Sequence, residues 1–186
     1  MTVLASRAQL RASFIRWALF IVPVVVLFGF LSGMVSNSGP DNPWFASLLK
    51  PDFYPPPQTF GIVWSILYAM IGLAAALVAA AWGARGRGPA LAVFVVQFLV
   101  NLAWSPVFFA LRRISGALYV IAALDVLVLL TLALFWRVRW QAGALLVPYF
   151  LWICFATALN WQLLQLNRDA DGSSYSGAVQ RIELHS

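Results

Sequence analysis

Residues 61–82 read GIVWSILYAMIGLAAALVAAAW, twenty-two residues without a single charge. About 20 apolar residues at 1.5 Å each span the roughly 30 Å of a bilayer's hydrocarbon core. In lipid each backbone N–H and C=O needs a partner within its own segment, so a run of this length is a helix and not a strand. Four further runs of the same kind lie on either side of it: Trp17–Val35, Ala90–Leu111, Gly116–Trp136 and Ala142–Leu166. The expected fold class is an all-α membrane protein, a five-transmembrane-helix bundle.

The composition agrees. Of 186 residues 62% are hydrophobic and 10% charged, where soluble domains carry about a quarter charged. A soluble enzyme or large soluble module is thereby excluded. The net charge of +6 raises the question of a nucleic-acid surface, but the arginines sit where the apolar runs end: Arg85 and Arg87, Arg112 and Arg113, Arg137 and Arg139, with Arg7, Arg11 and Arg16 before the first run. That placement marks membrane-edge anchors. With one cysteine, Cys154, and one histidine, His185, neither a disulfide framework nor a His/Cys metal site is expected.

Three regions follow: a basic N-terminal extension (1–16), the membrane domain (17–167) and a polar tail (168–186) expected to be disordered. The first run is too long for a signal-peptide core and no clean cleavage site follows it, so it reads as an uncleaved helix. Short connections at 83–89, 112–115 and 137–141 predict successive helices that are antiparallel neighbours. The exception is 36–60, with Pro40, Pro43, Pro51, Pro55, Pro56 and Pro57; so long a connection in so economical a chain reads as a lid or binding element. Seven Lys+Arg fall on the N-terminal side and five on the other, a small preference for a cytoplasmic N-terminus in an inner membrane. Inner and outer bacterial membranes both stay open on this count.

Helical spacing gathers polar and aromatic residues on three faces. Phe60, Trp64 and Tyr68 align in the second run; Gln97, Asn101, Trp104 and Phe108 in the third; Tyr149, Trp152, Ala156 and Asn160, with Leu159 beside them, in the fifth. Amides at membrane depth are costly unless they meet one another or a ligand. One reading is helix-to-helix hydrogen bonding with aromatic filling; the other is a site for a large planar apolar ligand with polar edges. Trp17, Trp82, Trp136 and Trp140 lie at run ends and read as interface-belt residues, whereas Trp64, Trp104, Trp152 and Trp161 lie in or near the stripes. Trp44 is a candidate for the lid. Asp125, in the middle of the fourth run, is either a functional carboxylate or an acid that stays neutral or pairs with a Trp, Tyr or amide of a neighbouring helix. Gly29 and Gly33, and Gly72, Ala76 and Ala80, form small-residue ridges for close helix contact, within the chain or between copies. Cys154 reads as a small buried apolar residue.

Three ordered motifs carry a resemblance to a known family. They are Lys50-Pro51-x-Phe53-x-Pro55-Pro56 followed by Trp64-x-x-Leu67-Tyr68; Gln97-x-x-x-Asn101-x-x-Trp104-x-Pro106-x-Phe108-Phe109; and Pro148-Tyr149-x-x-Trp152 leading to Leu159-Asn160. From about Asn42 to Asn167 the chain resembles the TspO/MBR family, the tryptophan-rich sensory proteins and translocator proteins (peripheral benzodiazepine receptors). The resemblance implies a five-helix bundle, often a homodimer, that binds protoporphyrin IX and related tetrapyrroles, and in some members isoquinoline or benzodiazepine-type drugs. It implies a pocket under the first loop, with Pro55, Phe60, Trp64 and Tyr68 on one wall, Asn101, Trp104 and Phe109 on a second, and Trp152, Ala156 and Leu159 on the third. Some bacterial members degrade protoporphyrin in light, which by motif implicates Trp64 and Trp152. No cofactor is required; the porphyrin is a ligand, and with His185 alone in the tail it is expected to be held by stacking and edge hydrogen bonds.

The chain departs from the family pattern at Phe53 and Gln58, where loop aromatics are usual, and at Trp161, where the cholesterol-recognition pattern needs Tyr, so sterol binding is not carried over. Asp125 matches none of the family motifs. The reading taken from the sequence is a tetrapyrrole-binding sensor or receptor; a porphyrin or lipid transporter and a light-dependent porphyrin-degrading enzyme are the alternatives. Against transport, the chain shows neither an inverted repeat nor a pair of interrupted helices.

Overall fold

In a computed structural model, which describes residues 7–173, the five apolar runs are five long helices. They are α1 (Arg7–Val35), α3 (Pro57–Ala79), α4 (Arg87–Ser105), α5 (Ile114–Val138) and α6 (Trp140–Leu166), with a short α2 (Pro43–Ser47) inside the first loop. Each of the five is long and apolar enough to cross a membrane. Their ends differ from the sequence expectation in a physically consistent way. Pro57 starts α3 four residues early, because proline's fixed φ and missing N–H suit a first helical turn. The left-handed Gly86 (φ 80°) precedes α4, and Arg113, in an extended conformation, precedes α5.

Two expectations are corrected. Arg7–Arg16 is the opening of α1 itself and not a separate extension. The tail is not disordered from residue 168: Arg168–Ala170 forms a 3₁₀ turn, Gly172 N donates to Arg112 O at 2.8 Å, and Ser115 N donates to Asp171 Oδ1 at 3.2 Å. Residues 174–186 lie outside the described residues, as do 1–6.

The helices alternate in direction, so the first loop, the α4–α5 connection and the end of α6 share one end of the bundle, the lid end. Around the bundle the order is α1, α3, α6, α5, α4, closing back on α1. The short connections join antiparallel helices as expected, and α3 and α4, linked by seven residues, touch each other but pack chiefly on other helices. A ring closed in this order has room at its centre.

Small residues set the spacing between α1 and α3. A Cβ on Gly72 would lie 2.8 Å from Val22 Cα, and one on Gly29 would lie 2.4 Å from the Tyr68 ring, whereas at Gly33 the nearest atom is 3.8 Å away. The Gly29 and Gly72 ridges therefore serve packing within the chain. Gly72→Ala is expected to force two backbones apart and destabilise the bundle by about 1–3 kcal/mol, while Gly33→Ala is neutral or slightly stabilising through helix propensity. Thermal unfolding of both variants in detergent checks the contrast; equal midpoints for the two would contradict it.

Candidate functional site

The centre of the ring, beneath the first loop, is a cavity of about 400 Å³, inside the range of small-molecule sites. Nine of the ten residues implied by the resemblance line it: Phe60, Trp64 and Tyr68 from α3, Asn101, Trp104 and Phe109 from α4 and the turn after it, and Trp152, Ala156 and Leu159 from α6. Pro55 does not. It lies in the loop just before α3, and its neighbours Tyr54 and Pro57 line the cavity in its place. Two walls escaped the sequence reading. Gly29, Phe30, Gly33 and Met34 of α1, and Ile121 and Leu124 of α5, also face the space; the glycines read in the sequence as a helix-contact ridge, and the plain apolar residues carry no signal apart from helical phase.

Pro106 explains how two adjacent phenylalanines both reach the cavity. Its missing N–H breaks the α ladder, and Pro106–Ala110 widens into a π turn, with Leu111 N donating to Pro106 O at 2.9 Å. Such turns re-aim side chains at functional sites. Phe108 stacks on Trp104 (5.0 Å, 20°) while Phe109 meets the same indole edge-on (6.0 Å, 84°).

The amides divide between packing and site. Tyr149 OH donates to Gln97 Oε1 at 3.2 Å and accepts from Asn101 Nδ2 at 2.9 Å, and Tyr68 OH donates to Asn101 Oδ1 at 3.4 Å. This chain ties α3, α4 and α6 at the cavity wall, where Tyr68 and Asn101 face the space. Nearer the lid, Trp104 Nε1 donates to Asn160 Oδ1 at 3.2 Å and Asn160 Nδ2 to Ile114 O at 3.0 Å. Trp64 stacks on Tyr68 (5.0 Å, 30°), and Phe60 meets Trp152 edge-on at 5.8 Å. Trp152 stands apart in one respect: its Nε1–H is buried with no acceptor. Buried donors are rarely left unpaired, and this one has no protein acceptor among the described residues.

The lid is built and fastened. Asn42 caps α2, accepting from Phe45 N at 3.1 Å, while Lys50 Nζ closes its other end by donating to the carbonyls of Phe45, Ala46 and Leu48 and sits 4.5 Å from the Phe45 ring centre. Burial there pulls the Lys50 pKa below the ordinary lysine value, and burial raises that of Tyr54. Trp44, 2% exposed, packs edge-on against Phe108 at 5.6 Å, which places it in the lid as expected. Asn167, which the sequence reading used only as the end of the matched region, is the fastener. It accepts from Leu49 N (2.8 Å) and donates to Leu49 O (2.9 Å), joining the lid to the end of α6.

The other singled-out residues fall outside the cavity. Asp125 faces α6, where Thr157 Oγ1 donates to its Oδ2 at 2.8 Å, so its partner is a threonine and not a Trp, Tyr or amide. Cys154 is exposed, which corrects the buried reading. Trp161 is about half exposed and turned away from the stripe, and Trp82, Trp136 and Trp140 are exposed at helix ends as belt residues are.

Fold and site together define a multi-pass integral membrane protein of five helices with an aromatic-walled cavity under a fastened loop. The chain belongs to the TspO/MBR family, whose model matches residues 20–166. It is 39% identical over 125 residues to the protein CrtK of Rhodobacter capsulatus (67% of this chain, 78% of that one). It is 36% identical over 155 residues to the tryptophan-rich sensory protein of Cereibacter sphaeroides (81% and 92%). To the human translocator protein it is 33% identical over 123 residues (63% and 71%).

Proposed function

We propose that this chain is a tetrapyrrole-binding membrane sensor that takes up one protoporphyrin-like ligand in the cavity between α3, α4 and α6. The observation that carries the reading is a cavity of about 400 Å³ walled by Phe60, Trp64, Trp104 and Trp152, with an unpaired indole N–H at Trp152. Flat rings suit the macrocycle's faces, since offset and edge-on aromatic contacts add about 0.5–1.5 kcal/mol each beyond area. The buried amides and the indole suit its polar edges. The same chemistry admits smaller heteroaromatic compounds of the isoquinoline or benzodiazepine type. Light-dependent degradation, where it occurs, falls to Trp64 and Trp152, the indoles on facing helices.

Trp152→Phe keeps an aromatic ring and removes the N–H. The expected result is an affinity for protoporphyrin IX about fivefold weaker, the equivalent of one hydrogen bond, with slower bleaching under illumination. Quenching of tryptophan fluorescence reads the first and absorbance in light against dark the second. Unchanged affinity and bleaching would remove Trp152 from the site.

A further inference from the structure

At the end of the bundle opposite the lid, α1 and the α3–α4 turn enclose a second, open groove of about 350 Å³, lined by Ser13, Arg16, Trp17, Phe20 and Trp82. It shares no residue with the central cavity. We propose that this groove binds one anionic phospholipid of the surrounding bilayer, its phosphate at Arg16 and Ser13 and its acyl chains along Phe20.

The α1 residues stand three, one and three apart, on one helical face, and their character changes along the helix axis. Ser13 and Arg16 lie toward the helix start, Trp17 next, Phe20 deepest, which is the order of headgroup, glycerol and hydrocarbon in a lipid leaflet. Indoles favour the middle level of that series.

The opposite wall is held in place. Trp82 is 68% exposed, yet the Arg87 guanidinium lies 4.2 Å from its ring centre. Arg87 is itself tied down, its Nε and Nη2 donating to Ala79 O at 3.0 and 2.8 Å. Trp17 leans on Trp82 with centroids 6.4 Å apart. The two indoles therefore form a fixed cleft and not a pair of loose belt residues.

Charge selects the occupant. Arg7, Arg11, Arg16, Arg85, Arg87, Arg137 and Arg139 all stand at this end, and among the described residues no Asp or Glu does; Asp41, Asp52, Asp169 and Asp171 are all at the lid end. Arg16 is exposed, and among the described residues no carboxylate stands at its end of the molecule. Its planar fork matches a phosphate bidentately, and the surrounding arginine field favours a lipid with net negative charge over a zwitterionic one.

The test uses the full chain in detergent with defined lipid added, bound lipid being counted by native mass spectrometry. One phosphatidylglycerol per chain is expected to be retained in preference to phosphatidylcholine, and millimolar inorganic phosphate is expected not to displace it. Arg16→Gln should lower phosphatidylglycerol occupancy about fivefold, the share of one basic residue near a membrane surface, and Arg16→Lys should recover part of it. Arg137→Gln, at the same end but outside the groove, removes only a contribution to the surrounding field and no direct phosphate contact, so its loss should be clearly smaller than that of Arg16→Gln. Equal retention of the two lipids, displacement by inorganic phosphate, or equal losses in Arg16→Gln and Arg137→Gln would each overturn the proposal.

Discussion

Ala156→Phe is expected to abolish tetrapyrrole binding while leaving the bundle folded. Ala156 is a small residue on the α6 wall of the cavity, between Trp152 and Asn160, so a phenyl group there occupies the space a ligand ring would take. It adds no tryptophan, so fluorescence quenching stays interpretable. Blocking the place of a ligand ring at the centre of the cavity is expected to cost about 3 kcal/mol, or roughly 100-fold in affinity. Ala156 borders open cavity space, so the added ring is expected to enter it and the thermal midpoint to hold. Wild-type affinity in a folded Ala156→Phe would place the ligand elsewhere.

Asn101→Leu is expected to reduce both stability and affinity. Asn101 links Tyr68 on α3 to Tyr149 on α6, and leucine leaves the Tyr68 hydroxyl without its acceptor and the Tyr149 oxygen without its donor. An unmet buried hydrogen bond costs about 1–3 kcal/mol, while polar contacts inside membrane proteins average about 0.6 kcal/mol. A loss of about 1–2 kcal/mol is expected between these bounds, with affinity about tenfold weaker because the amide faces the ligand. Gln97→Leu separates the two effects. Gln97 accepts from Tyr149 but does not line the cavity, so that variant should lose stability and keep affinity. Parallel unfolding and porphyrin titrations decide; Asn101→Leu with full affinity would make its amide a packing group only.

Periodicity made most of the bundle legible. Five uninterrupted apolar runs suffice to define five helices, because lipid leaves the backbone no other way to satisfy its polar groups. Three cavity walls were legible for a related reason: amides and tryptophans at helical spacing are conspicuous in an apolar chain. The α1 and α5 walls were not, since Phe30, Met34, Ile121 and Leu124 look the same in sequence whether they face lipid, core or cavity. Nor was helix order around the ring, because a short connection fixes direction but not the main packing partner. The π turn at Pro106 and the double hydrogen bond of Asn167 to Leu49 depend on backbone geometry that no spacing rule expresses. Asp125 was conspicuous in sequence, yet its contact with Thr157 lies outside the cavity.

The tetrapyrrole reading is tested most directly by titrating the full chain with protoporphyrin IX in the dark, wild type beside Ala156→Phe, following tryptophan quenching to saturation. The expected result is one porphyrin per chain in the wild type and no saturable site over the same range in the variant. Identical curves for the two, or a wild type that never saturates, would contradict it.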